Sequence, residues 1–331
     1  MIGQSAAVPR VVVLIGMVLV VGACSSDPLP GGAAPSTTGT ATSTTVTVTA
    51  TSTSTTVTST STTTTVAGVF ADADALASEL SYVEAGIRAA DVTPVELAAL
   101  GRRQQLAYRA VNRHPEWDDV LLGSVAPAAR VPLQFHLAAR KAQADHAAGR
   151  PPTAPPSSLP AWTIVEPLPV EVLRGYYDEA AAATGVAWQY LAAIHFQETR
   201  MGRVVGVSSA GAVGPMQFLP STWARCCTGD PTVARDAIMG TAHYLVQRGA
   251  PADMQKALFA YNPNSGYVGA VTAFAQNMIA DPRAYLGYHG WDVLSATSAG
   301  TVRLSVGYTA TTPIDVATYV RDHPDALLPS R

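Results

Sequence analysis

Between Asp27 and Asp72 the chain carries no charged residue, and over residues 36–65 it is serine or threonine at 24 of 30 positions. The remaining positions there are Val, Ala and Gly, and the TVTVTAT alternation has β-propensity but no apolar face to bury. Such a composition cannot gain enough from burial to offset the entropy of ordering the backbone, so the segment is expected to be disordered. A coil of ~40 residues spans roughly 35 Å on average and ~130 Å at full stretch. That is the reach of a tether, and its Ser/Thr runs suit O-glycosylation. Folding is therefore confined to the residues beyond Ala71, which are numerous enough for one sizeable core or two modest domains.

The tether is preceded by a targeting pattern. Arg10 ends a short leading region, and residues 11–22 (VVVLIGMVLVVG) are uninterrupted apolar residues. This run is too short to span a bilayer comfortably and suits the hydrophobic region of a signal peptide over residues 1–23. It closes on VGAC, which resembles a bacterial lipobox and makes Cys24 the expected lipidation site. Acyl chains on Cys24 would hold residues 24–71 as a lipidated tether on the outer face of the membrane, in the cell envelope.

Charged residues make up 14% of the chain, the formal net charge is −3, and there is no basic block. Nucleic acid is thereby excluded as a partner. No phosphate-cradling GxxxxGK[ST] or GxGxxG spacing, HExxH motif or metal-ligand spacing occurs, so neither a cofactor nor a metal is expected.

The folded part reads as mainly α. Residues 72–150 show three-to-four apolar spacing in two to four helices, with Thr93 as N-cap and Pro94 at the first helical position. His114, Glu116 and Asp118 there read as a solvated turn. Residues 151–169 are proline-rich and predict a semi-rigid connector. A second unit over 170–280 carries helical patterns at 170–184, 186–201, 220–226, 234–248, 252–261 and 266–279. Gly185 and Gly249 are stops, and Asp253 is a cap. The tail, 281–331, is richer in β-branched and aromatic residues and predicts a small hairpin.

Chemistry concentrates in three stretches of the second unit: ETRMGR at 198–203, GAVGPMQF at 211–218 and AYNPN at 260–264. On the helical phase of 186–201, Ala187, Leu191, Ile194 and Glu198 share one face. A carboxylate on an apolar face is costly unless paired, hydrogen-bonded or protonated. The glycine-studded loop admits close backbone approach, and Gln217 offers a donor and an acceptor suited to sugar hydroxyls and acetamido groups. His195 and His243 read as packed or solvated helix histidines. Asp230, Asp236 and Asp253 read as loop or cap residues.

These three motifs, in this order, resemble those of the lytic transglycosylases, with GPMQFLPSTW the most specific stretch and Thr after the acid closer to the membrane-bound type B branch. The resemblance covers residues 162–278. It implies a lysozyme-like (goose-type/transglycosylase) α fold acting on peptidoglycan glycan strands, with Glu198 as the single catalytic acid. It further implies substrate contacts from Thr199, Gly214, Met216, Gln217, Tyr261 and Asn262. A monomer is assumed. Two rivals stand beside it: a hydrolase of the same fold, with one of the three aspartates activating water, and a non-catalytic glycan-binding lipoprotein.

Cys226 and Cys227 are adjacent. Outside the cytoplasm a cysteine pair is expected to be oxidised, but neighbours can join only in a vicinal ring. Small buried thiols are the first expectation and a vicinal disulfide the second.

Overall fold

The computed structural model describes residues 68–329. The targeting segment, Cys24 and nearly all of the tether lie outside the described residues. The described residues include a few before the expected boundary at 72: Phe70 packs on the core and the Arg113 guanidinium donates to the Gly68 carbonyl at 3.2 Å.

Four helices come first: α1 (Ala73–Arg88), α2 (Pro94–Arg113), α3 (Asp118–Ser124) and α4 (Pro127–Ala147). Their starts obey local chemistry. Asp72 caps α1, and at α2 Thr93 and Glu96 exchange side-chain-to-backbone bonds of 3.3 and 2.8 Å, a capping box followed by Pro94. The turn between α2 and α3 is tied down rather than merely solvated. His114 stacks on Trp117 with ring centres 3.9 Å apart and bonds Glu116, while Asp118 pairs with Arg140 of α4.

The second group comprises α5 (Val170–Thr184), α6 (Trp188–Thr199), α7 (Pro220–Cys226), α8 (Ala234–Gln247), α9 (Met254–Tyr261), α10 (Ser265–Ala280) and α11 (Ala284–His289). The α5 stop is Gly185 at φ +75°, and Asp253 caps α9 by accepting from the Lys256 N–H. One apolar core runs through both groups, taking in Leu80, Val111 and Leu133 from the first and Leu191, Phe196 and Phe274 from the second. A close seam joins α4 to α10. A Cβ on Gly269 would come within 2.3 Å of the Ala142 Cβ, so only glycine lets the two backbones approach this far.

Residues predicted as connector and tail meet in a small β-containing layer. The connector contributes β1 (Ser158–Leu159) and β2 (Thr163–Ile164), and β3 (Val204–Val205) lies just past the α6 exit. The tail contributes the hairpin β4 (Val293–Thr297) and β5 (Gly300–Leu304), then β6 (Ile314–Asp315) and α12 (Val316–Asp322). The pairs are antiparallel, β1 with β6, β2 with β3 and β4 with β5. Leu159, Ile164, Val204, Val302, Leu304 and Val316 form a second apolar cluster beneath them. The proline-rich stretch is thus pinned at both ends of its strand-forming part, and it braces the segment that leaves α6.

Candidate active site

Helix α6 is apolar nearly all round. Besides Leu191 and Ile194, the side chains of Ala192, Ala193 and Phe196 are fully buried, while Ala187 precedes the helix and is exposed. The burial of Glu198, 3% exposed, therefore results from a central helix and not from one stripe.

The end of α6 is locked by the three residues after it. Arg200, Met201 and Gly202 adopt φ of +53°, +58° and +88°, and the Arg200 and Met201 N–H groups reach the Phe196 and His195 carbonyls at 3.1 and 3.2 Å. Two non-glycine residues in the left-handed region cost about 1–2 kcal/mol each, a cost that surrounding structure must hold in place. Thr199 supplies part of that hold. Its hydroxyl donates to the Pro215 carbonyl at 2.7 Å and accepts from the Gly202 N–H at 3.1 Å, tying the helix end to the glycine loop. Thr199 is wholly buried and faces this clamp, not a groove.

The loop makes a tight hairpin in which Val213 and Phe218 exchange backbone bonds of 2.9 and 3.0 Å. Gly214, at φ +77°, has no room for a side chain: a Cβ would lie 1.8 Å from the Pro231 carbonyl oxygen. Its carbonyl accepts both the backbone N–H and the side-chain amide of Gln217, at 3.0 and 2.9 Å, and Gln217 itself sits at φ +50°. Met216 departs from the expectation of a groove residue. It is fully buried in the core, because the hairpin turns its side chain inward, and only its carbonyl serves the site by accepting the Tyr261 hydroxyl.

A crevice opens over Glu198, lined also by Gln217, Phe218, Leu219, Thr222, Tyr244, Tyr261 and Asn262. Three of the expected residues, Gln217, Tyr261 and Asn262, are thus brought to Glu198. Phe218 meets Trp223, Tyr244 and Tyr261 edge-to-face, giving a stiff aromatic wall. The Thr222 hydroxyl is buried and has no hydrogen-bond partner among the described residues. Glu198 is the one acid in this lining. Asp230, Asp236 and Asp253 serve the backbone, accepting from the N–H groups of Thr232, Asp230 and Lys256.

The residue that sequence reasoning missed is Tyr267. Asn264 caps α10 by accepting the Tyr267 N–H at 3.0 Å, which sets Tyr267 in the first turn. From there its hydroxyl donates to Glu198 Oε1 at 2.7 Å, and its ring lies parallel to that of Tyr261. Burial pushes the Glu198 carboxyl up to about 8, and the Tyr267 bond opposes this by favouring the anion. A carboxyl so placed is protonated at neutral pH and can give its proton away.

His195 is a structural histidine. It is fully buried, bonds the Tyr177 hydroxyl through Nδ1 at 2.7 Å, and is pushed down by burial to about 3, so it stays neutral. His243 is exposed on α8. Cys226 and Cys227 form a vicinal disulfide, which corrects the first expectation of free thiols. Both are half-buried at the end of α7, beside a cleft rather than in the core.

Comparison with known proteins supports the family resemblance over part of the chain. The membrane-bound lytic murein transglycosylase F of Thiobacillus denitrificans is 32% identical over 121 residues, a match covering 34% of this chain and 26% of that protein. The chain thus spans about a quarter of the length of the curated relative it matches. No family model matches, and no solved structure does.

Proposed function

We propose that this chain is a peptidoglycan lytic transglycosylase that cleaves the β-1,4 bond between N-acetylmuramic acid and N-acetylglucosamine. Glu198 is its only acid and base. The observation that carries the reading is a single buried carboxyl, protonated at neutral pH and donated to by one tyrosine, in a crevice with no second acid in its lining.

Breaking a glycosidic bond needs a proton on the leaving oxygen, which a neutral Glu198 gives. Retaining and inverting glycosidases employ a second carboxylate as nucleophile or as base for water. With that group missing from the crevice, the substrate's own 6-hydroxyl serves as the nucleophile. Glu198, now an anion held by the Tyr267 hydroxyl, takes the 6-hydroxyl proton as its oxygen closes onto C1. The products are a 1,6-anhydromuramic end and a released chain, and no water is consumed. The void over the carboxyl, about 20 Å³, admits a water but not a sugar ring. The rings therefore lie along its mouth, where Gln217 and Asn262 present polar groups, and only the glycosidic oxygen reaches inward. In the same reading Cys24 is the lipid-bearing residue, and the Ser/Thr tether lets the catalytic unit reach glycan at a distance from the membrane.

Mass spectrometry of muropeptides released from purified peptidoglycan tests this. Anhydro ends are expected; reducing ends would identify a hydrolase, and the absence of release a glycan-binding protein.

A further inference from the structure

Adjacent cysteines enclose no chain between them, so their bond removes almost no loop entropy from the unfolded state. The Cys226–Cys227 disulfide is therefore no general staple, and its effect must be local. It lies where one helix ends and a return segment begins: Cys227 is the C-cap of α7, and its N–H bonds the Trp223 carbonyl at 3.0 Å. Both cysteines are half-buried and open onto a cleft of about 390 Å³ that also exposes His243, Arg235 and Gln247. A disulfide reachable from solvent is of the labile rather than the inert kind.

The structure links this ring to the site in two ways. At the start of α7, its N-cap Leu219 and Thr222 line the crevice over Glu198, about two turns and one turn from the ring. Through the return segment, the Gly229 carbonyl takes the Trp223 indole N–H at 3.1 Å, and the Pro231 carbonyl packs against Gly214, whose own carbonyl holds Gln217. Trp223 is seated between Gly240 and Phe218, so the same contacts anchor the aromatic wall. Residues 226–231 are in effect a brace behind one wall of the crevice.

We propose that Cys226–Cys227 is a thiol-exchange site whose reductant is a dithiol, small or borne by a protein, and that its oxidised form is the one that holds the wall. A thiolate of the dithiol attacks one sulfur, the Cys226–Cys227 bond breaks, and a mixed disulfide forms while the other cysteine leaves as thiolate. The second thiol of the reagent then displaces the remaining protein sulfur. The dithiol is oxidised to its disulfide, the protein gains two electrons, and two protons end on the two cysteines. Opening the ring frees the α7 cap and the return segment, and with them the seats of Trp223 and Gly214.

The proposal rests on the transglycosylase reading for its rate effect, so the test carries a second readout. The full chain is reduced with dithiothreitol, and thiols are counted by alkylation and mass spectrometry. Muropeptide release and amide hydrogen exchange are then compared before reduction, after it, and after reoxidation. Release is expected to fall about tenfold on reduction, about 1.4 kcal/mol in the barrier, and to return on reoxidation. Exchange is expected to rise over residues 213–231 and not in α1–α4. The Cys226→Ser/Cys227→Ser double variant should match the reduced protein and ignore the reagent. Unchanged exchange over 213–231 in fully reduced protein overturns the brace. Raised exchange with an unchanged rate overturns its link to the site. If neither state releases glycan while exchange still rises, the brace stands and the catalytic reading fails.

Discussion

Among the described residues two glutamates are buried, and they have opposite surroundings. Glu84, on α1, is fully buried among partners: Tyr108 and Gln104 donate to it at 2.6 and 2.9 Å, and Arg88 pairs with it while also reaching Asp281. Glu198, on α6, is almost as deep but has one donor, Tyr267, and no ion pair among the described residues. The first carboxylate has its charge met and ties α1 to α2 and, through Arg88, to the start of the segment after α10. The second has its charge unmet and is held neutral instead. Burial alone does not leave an acid with a proton to give; burial without a cation does, because the neutral form is then favoured.

The largest effects should fall on Glu198. Glu198→Gln keeps shape and hydrogen bonding but cannot exchange the proton. Release of anhydro muropeptides is expected to drop by about 10³-fold or more, and near-wild-type release would end the assignment. Stability should move the other way. The folded carboxyl, at about 8, lies above its ordinary 4.5. Between those pH values the folded state holds a proton the unfolded chain has lost, and stability falls as pH rises through the window. The Gln variant lacks that slope. By chemical denaturation it should be about 4 kcal/mol more stable than wild type at pH 8 and equal to it near pH 4. The activity of the wild type should fall above about pH 8 as Glu198 ionises.

Glu84→Ala should show the mirror image. Removing the carboxylate strands Tyr108, Gln104 and one side of Arg88, at a cost of about 3 kcal/mol. The rate per folded molecule should stay within twofold of wild type. A large loss of turnover in fully folded Glu84→Ala would abolish the contrast between the two sites.

How far this contrast could be read from sequence depends on how local its causes are. The helix starts at Thr93–Pro94 and Asp253, the stop at Gly185 and the span of α7 were legible because each is set by neighbouring residues. So was the trio Glu198, Gln217 and Tyr261–Asn262, whose motifs announce themselves. Tyr267 was not, because its value arises only where α10 crosses α6. The directions of Thr199 and Met216 were misread for a related reason: both sit in the right motif, but left-handed residues at 200–201 and 217 turn the chain and point them inward. The strands of two residues at 158–159 and 314–315 are too short for an alternation to show. The disulfide ring came only second to free thiols in the sequence, because adjacency argues against bonding.

A smaller effect tests the donor on the catalytic side. In Tyr267→Phe the Glu198 anion loses its hydrogen bond, so the carboxyl should rise further and the basic limb of the pH–rate profile should move to higher pH. The rate at neutral pH should fall about tenfold, since the anion formed after proton donation is no longer held. A limb moving to lower pH would show that Tyr267 does not favour the anion.

The smallest expected change concerns His195, one turn before Glu198 on α6. Tyr177→Phe removes the hydroxyl from His195 Nδ1, and His195 Nε2 already lacks a partner among the described residues. Leaving a neutral buried imidazole wholly unsatisfied costs about 1–2 kcal/mol. His195 is held neutral by burial rather than by Tyr177, so its protonation should not change. Thermal unfolding should therefore show a modest loss of stability while muropeptide release keeps both its rate and its pH profile. A shifted profile would place His195 in the chemistry, and the distinction between a met and an unmet buried charge would then have to include the imidazole beneath Glu198.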